Sequence, residues 1–245
     1  MKNEVKVHEV NPAPRKNRRE FLKISGLALA GTGLLFAGCN EDDNDPQNPP
    51  SSQLPGMRDG VFDFGGGDLG ILTYAYALEQ LEADFTTRVV NASGFTTAFS
   101  AEEQQAMVEI YGHEVVHREF FRNLLTQMLP DPDTQLLPNL QFNYGNLNFG
   151  NRTSVLATAA ALEDTGIAAY NGSGRYLTNP ANLVIAGKIV SVEGRHAAAI
   201  RNMMDMNTPN FAPNPLDPAR MPSQIISEIN SLNLITTDFT AQYLP

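Results

Sequence analysis

Two short stretches decide the fold: Ile110-Tyr111-Gly112-His113-Glu114-Val115-Val116-His117-Arg118-Glu119-Phe120-Phe121 and Ile189-Val190-Ser191-Val192-Glu193-Gly194-Arg195-His196. Each contains Glu-x-x-His, which on a helix places both side chains on one face, one turn apart. That face is otherwise apolar in both cases. The first stretch lies in the stripe Met107, Ile110, Glu114, His117, Phe121, Leu124, Met128, and the second in the stripe Ala186, Ile189, Glu193, His196, Ile200, Met203. Acids and imidazoles at core-facing positions require a compensating charge among themselves or from an ion.

Helix boundaries follow outward from these stripes. Ser100 and Glu103 form a capping-box pattern ahead of the first, which Pro130 stops after Leu129. Asn179-Pro180 opens the second, which continues to about Met204. Upstream, Leu72, Ala75, Leu78, Phe85 and Val89 keep helical spacing from Asp68 to about Val90. An Ala-rich helix is predicted from Thr153 to Tyr170, ending at Asn171-Gly172. Four amphipathic helices predict an all-α four-helix bundle. About 23 residues separate the second helix from the third (Pro130 to Arg152), enough to run back along a helix. A long crossover there makes helices two and three parallel.

The remaining two helices each supply one acid in the same local context, Ala77-Leu78-Glu79 and Ala161-Leu162-Glu163. The order is a Glu helix followed by a Glu-x-x-His helix, twice, with 35 residues from Glu79 to Glu114 and 30 from Glu163 to Glu193. Four Glu and two His around two ions make a di-iron or di-manganese carboxylate site, two Fe (or Mn) ions per chain. Each ion would take a terminal Glu and a His, with Glu114 and Glu193 bridging. Carboxylate oxygens with imidazole suit Fe, Mn or, less specifically, Zn. A competing motif is His113-Glu114-Val115-Val116-His117, literally the H-E-x-x-H of zinc proteases. Phe120 stands where a metzincin continues with Gly, no further Glu follows Glu119 until Glu163, and a protease leaves Glu193 and His196 idle. His113 is therefore expected as a neighbour of the site or a surface-edge residue.

This order of ligands resembles the ferritin-like superfamily over about residues 66–207. The wording Leu78-Glu79-Gln80-Leu81-Glu82-Ala83-Asp84-Phe85 and Ala161-Leu162-Glu163-Asp164-Thr165-Gly166-Ile167-Ala168-Ala169-Tyr170 is similar to its exported branch, which includes the desiccation-related proteins. The resemblance implies Glu79 as the helix-one ligand and Glu82 as a nearby or alternative ligand. It also implies an aromatic residue seven positions after the ligand Glu. Tyr170 matches after Glu163, whereas Thr86 stands in that place after Glu79.

The N-terminal residues set the expected location. Residues 1–38 hold seven of the 17 basic residues and only three of the 27 acids, then an apolar run from Ile24 to Gly38. That run is shorter than the roughly 20 residues of a membrane span, so it reads as a secretory signal. Arg18-Arg19-Glu20-Phe21-Leu22-Lys23 resembles the twin-arginine export signal, and Phe36-Ala37-Gly38-Cys39 a lipobox in which Cys39 is lipidated. Export to the cell envelope, with a membrane anchor at Cys39 on the periplasmic side or the outer-membrane surface, is the expectation. The rest of the chain carries 10 basic and 24 acidic residues, a balance that argues against nucleic acid. Glu41-Asp42-Asp43-Asn44-Asp45 resembles an acidic surface-export tag, or is simply a solvated linker. The predicted organisation is a signal at 1–38, an acidic, Pro/Ser-rich linker at 39–60, the helical domain at 61–207 and a Pro-rich tail at 208–245. The tail has one short helix, Ser223 to Leu232.

Two classes of function remain open. One is a di-metal oxidoreductase reacting with O2 or H2O2, with Glu82 for acid-base work and Tyr170 and Tyr111 as hydrogen-bond or electron relays, or simply as core aromatics. The other is a non-catalytic metal-binding or structural stress protein of the envelope. A homodimer is admitted by the sequence, not required.

Overall fold

A computed structural model describes residues 53–205 and 210–245. The signal segment, Cys39 and the acidic run after it lie outside the described residues. Four long helices dominate: α1 (Gly67–Val90), α2 (Ala101–Met128), α3 (Arg152–Ser173) and α4 (Pro180–Met204), followed by the shorter α5 (Pro222–Ser231). No helix among the described residues is long and apolar enough to cross a membrane.

The starts of α2 and α4 are made by the residues that signalled them, and α3 adds a cap at Asn151. At α2 the Ser100 side chain accepts from Glu103 N and the Glu103 carboxylate accepts from Ser100 N, so two otherwise orphaned donors are satisfied. Asn151 Oδ1 accepts from Ser154 N at α3, and Asn179 Oδ1 from Ala181 N at α4, with Pro180 in the first turn.

Two polar clamps fix the directions of the helices. Arg152, which opens α3, pairs with Glu103 in the first turn of α2 and donates to the carbonyl of Met203 at the end of α4. Asp68, in the first turn of α1, accepts from Thr178 N, Asn179 N and Asn182 Nδ2 at the start of α4. Helices α2 and α3 thus run parallel to each other, as do α1 and α4, and the link between α2 and α3 must return along the bundle. It does so over α1: Leu140 N donates to Gln80 Oε1, and Tyr144 donates to Leu81 O and Asp84 Oδ2.

Three features differ from the sequence reading. Helix α3 passes through Asn171-Gly172 to Ser173, because Gly172 is a crossing point and not a stop. Arg220 N donates to Ala168 O at 2.9 Å, and a Cβ on Gly172 would lie 1.7 Å from Arg220 O. Residues read as the end of a linker belong to the folded body. Leu54 is buried, and β1 (Gly56–Arg58) pairs antiparallel with β2 (Val61–Asp63) through the turn Asp59-Gly60, both with positive φ. The tail adds β3 (Phe239–Thr240) parallel to β2, with Phe64 stacked on Phe239. Finally, α1 is buried around almost its whole circumference, since crossover, hairpin and tail cover the side away from α2 and α3.

The apolar core has two layers. One gathers Tyr74, Leu78, Phe121, Leu125, Tyr170 and Ile189; the other gathers Phe85, Met107, Ile110, Val155, Leu156 and Ile200. In every long helix the acids and histidines of interest fall between these layers.

Candidate metal centre

Helical spacing brings Glu79, Glu114, His117, Glu163, Glu193 and His196 to the level between the two layers, where five of them are at most 4% exposed and His117 is slightly more open. They form two groups, Glu79/Glu114/His117/Glu193 and Glu114/Glu163/Glu193/His196, and in each group one ligand atom per residue lies within 4.8 Å of all the others. Glu114 and Glu193 are common to both groups. His117 Nδ1 lies 2.9 Å from Glu193 Oε1, 3.4 Å from Glu79 Oε2 and 3.5 Å from Glu114 Oε2. His196 Nδ1 lies 2.7 Å from Glu114 Oε1, 3.2 Å from Glu193 Oε2 and 3.6 Å from Glu163 Oε2.

Most of these approaches are short but misdirected. The His196–Glu193 contact has hydrogen-bond geometry. His117 Nδ1, Glu79 Oε2, both oxygens of Glu114, Glu163 Oε2 and Glu193 Oε1 are buried with no hydrogen-bond partner. The carboxylate oxygens and the two ring nitrogens converge on two shared points. Buried polar groups are normally paired, so this concentration of unpaired ones is the arrangement cations would complete. The donor set of oxygen and imidazole nitrogen fits Fe or Mn.

Without cations, protons must limit the charge. Burial pushes the Glu79 carboxyl up to about 8 and drives Glu82 and Glu163 well above the carboxylate range, with neighbouring carboxylates adding to it. Burial opposes charge on the two rings, but the carboxylates around them prevail and hold His117 and His196 protonated up to about 12. Burial would also raise Glu193, yet His117 and His196 beside it outweigh burial and hold it near about 2.

The other sequence candidates have definite places. Tyr170 reaches from α3 to α1 and donates its hydroxyl to Glu79 Oε1. Glu82, one turn beyond Glu79, belongs to neither ligand group; its Oε2 is buried without a partner, and Gly166 opposite leaves it room, since a Cβ there would lie 2.6 Å from Glu82 Oε1. Tyr111 is half-buried, and among the described residues no hydrogen bond joins it to the cluster. Thr86 turns its hydroxyl back to Glu82 O. A cavity of about 10 Å³, room for about one water, lies between Thr86, Glu82 and Glu163 under Phe85, Met107 and Ile200. The larger cleft, about 530 Å³ between the β1–β2 hairpin and the one-turn helix Pro132–Gln135, contains no member of the cluster. His113, expected as a neighbour of the site or a surface-edge residue, is exposed and sets its Nδ1 2.9 Å from His196 Nε2.

None of the curated proteins is significantly similar to the chain. A crystal structure described as a ferritin-like diiron-carboxylate protein of Thermotoga maritima is similar at 22% identity over 58% of this chain and 97% of that one, with a TM-score of 0.43. Residues 67–206 match the family model of the ferritin-like domain, a span that contains α1 to α4 and all six clustered residues. The chain belongs to the ferritin-like domain family.

Proposed function

We propose that the protein is an exported, lipid-anchored ferritin-like protein that holds two Fe or Mn ions and reacts with O2 or H2O2. The observation that carries the metal reading is the pair of buried four-residue groups sharing Glu114 and Glu193, their ligand atoms mostly unpaired. Glu79 and His117 would hold one ion, Glu163 and His196 the other, with Glu114 and Glu193 between them. Such a pair of ions would supply redox equivalents and Lewis acidity for O2 or H2O2.

The chain's own residues limit what can enter. Tyr170 covers the Glu79 side, and the small void beside Thr86 and Glu163 leaves room for about one water next to the cluster. Glu82 lines that void, its pKa raised by burial and by the neighbouring carboxylates, and is placed to exchange a proton there. Export, the anchor at Cys39 and the desiccation-related affinity rest on the sequence of residues 1–45 and on the local wording around Glu79 and Glu163.

The test is turnover. Protein loaded anaerobically with Fe(II) or Mn(II) is given O2 or H2O2, and consumption is followed beyond one equivalent per chain. Multiple turnovers, reduced in Glu82→Gln, support an oxidoreductase. A single stoichiometric reaction or none, with metal retained, rejects turnover and leaves the non-catalytic envelope protein.

A further inference from the structure

His113 opens the H-E-x-x-H run, is solvent-exposed on α2, and belongs to neither ligand group. Its place is explained by the other ring it meets. His196 turns Nδ1 inward to Glu114, Glu193 and Glu163, and its outer nitrogen, Nε2, lies 2.9 Å from His113 Nδ1. The two rings are nearly parallel, 12° apart, with centroids separated by 5.2 Å.

A neutral imidazole carries one proton. If Nδ1 of His196 offers its lone pair inward to a cation, the proton must sit on Nε2, where it needs an acceptor. His113 Nδ1 is that acceptor, with the proton of His113 on its own Nε2. We infer that His113 is a positioning residue of the metal centre: it fixes the tautomer and ring orientation of His196 so that Nδ1 faces Glu114 and Glu193. This rests on the metal-site reading above.

The device is one-sided. His113 stands four residues before His117 on α2, and Val192 stands four residues before His196 on α4, so the internal repeat offers no second imidazole at the matching position. A neutral ring also suits this place. Outer partners of metal-bound histidines are commonly carboxylates, but here another acid would add negative charge beside five buried Glu. An exposed imidazole accepts the proton without adding it.

The experiment uses the full chain with Zn(II) as a diamagnetic probe, comparing wild type with His113→Phe, which keeps a ring but no acceptor, and His113→Gln, which restores one. Nitrogen-15 correlation spectra of the Zn(II)-loaded protein should show His196 metal-bound at Nδ1 and protonated at Nε2, with that proton shifted downfield by its hydrogen bond. His113→Phe should lose that downfield shift and about 10–100-fold in Zn(II) affinity, and His113→Gln should recover most of the affinity. Unchanged affinity and His196 signals in His113→Phe, or a metal-bound signal from His113 itself, would overturn the assignment while leaving the metal site intact. Failure of the wild type to take up Zn(II) would instead overturn the metal reading, and this inference with it.

Discussion

Tyr170 on α3 donates its hydroxyl to Glu79 on α1, so one of the two outer acids of the cluster is held by a residue seven positions after the other, Glu163. The bond crosses the bundle between two buried groups, and nothing else pairs with that hydroxyl among the described residues. Removing it leaves Glu79 Oε1 buried without a donor, which costs about 1–3 kcal/mol. Tyr170→Phe should lower stability by that amount in urea titrations of the metal-free protein. A variant as stable as the wild type would show that the bond contributes nothing to the fold.

The proton balance of the cluster gives a pH signature. Folding lifts Glu79 from 4.5 to about 8, and His117 and His196 from 6.5 to about 12. The folded, metal-free chain therefore binds more protons than the unfolded chain above roughly pH 4.5, and its stability falls as pH rises. The Glu79 share disappears between about 4.5 and 8, and the histidine share between 6.5 and about 12. Glu193 runs the other way: its contribution is present above 4.5 and lost as pH falls towards about 2. Melting temperatures of chelator-treated protein should thus decline from roughly pH 5 to 8.5. Cation-loaded protein should show the opposite trend in its gain over the metal-free form, because ligands must shed protons to bind. A metal-free melting temperature that climbs across this range would contradict the balance.

Two glycines on α3 should respond differently to alanine. At Gly172 the new Cβ meets the backbone carbonyl of Arg220, which cannot swing aside, so the tail must lift from α3. Overpacking of this kind costs about 1–3 kcal/mol, and Gly172→Ala should lie at the upper end, with faster proteolysis near Arg220. At Gly166 the obstacle is only the end of the Glu82 side chain. Gly166→Ala gains up to about 1 kcal/mol of helix propensity, which should offset much of the crowding and leave stability near wild type while displacing Glu82. Equal losses for both variants would refute the distinction.

The bundle and its cluster were legible because their signals are local. Glu-x-x-His in an apolar stripe, a Ser-Glu capping box and Asn-Pro at a helix start each act within one or two turns, and a long crossover follows from length alone. What escaped reading depends on contacts distant in sequence. Gly172 carries the local mark of a helix end, but it is a glycine because a Cβ there would block the backbone of Arg220. Leu54 to Arg58 looked like linker because the strand that completes their sheet, Phe239–Thr240, is about 180 residues away. Burial of both faces of α1 needed the crossover and tail to be in place. The partnership of His113 with His196 spans 83 residues and two helices, with no spacing rule to announce it.

If Glu79, Glu114, His117, Glu163, Glu193 and His196 hold two ions with Glu114 and Glu193 shared, metal content must follow those two acids. The most direct test is metal content per chain after anaerobic loading with Fe(II) or Mn(II), in the wild type and in the Glu114→Ala/Glu193→Ala double variant. About two ions per chain are expected in the wild type and almost none in the variant. A folded wild type that retains no metal, or a variant that retains both ions, would contradict that ligand set.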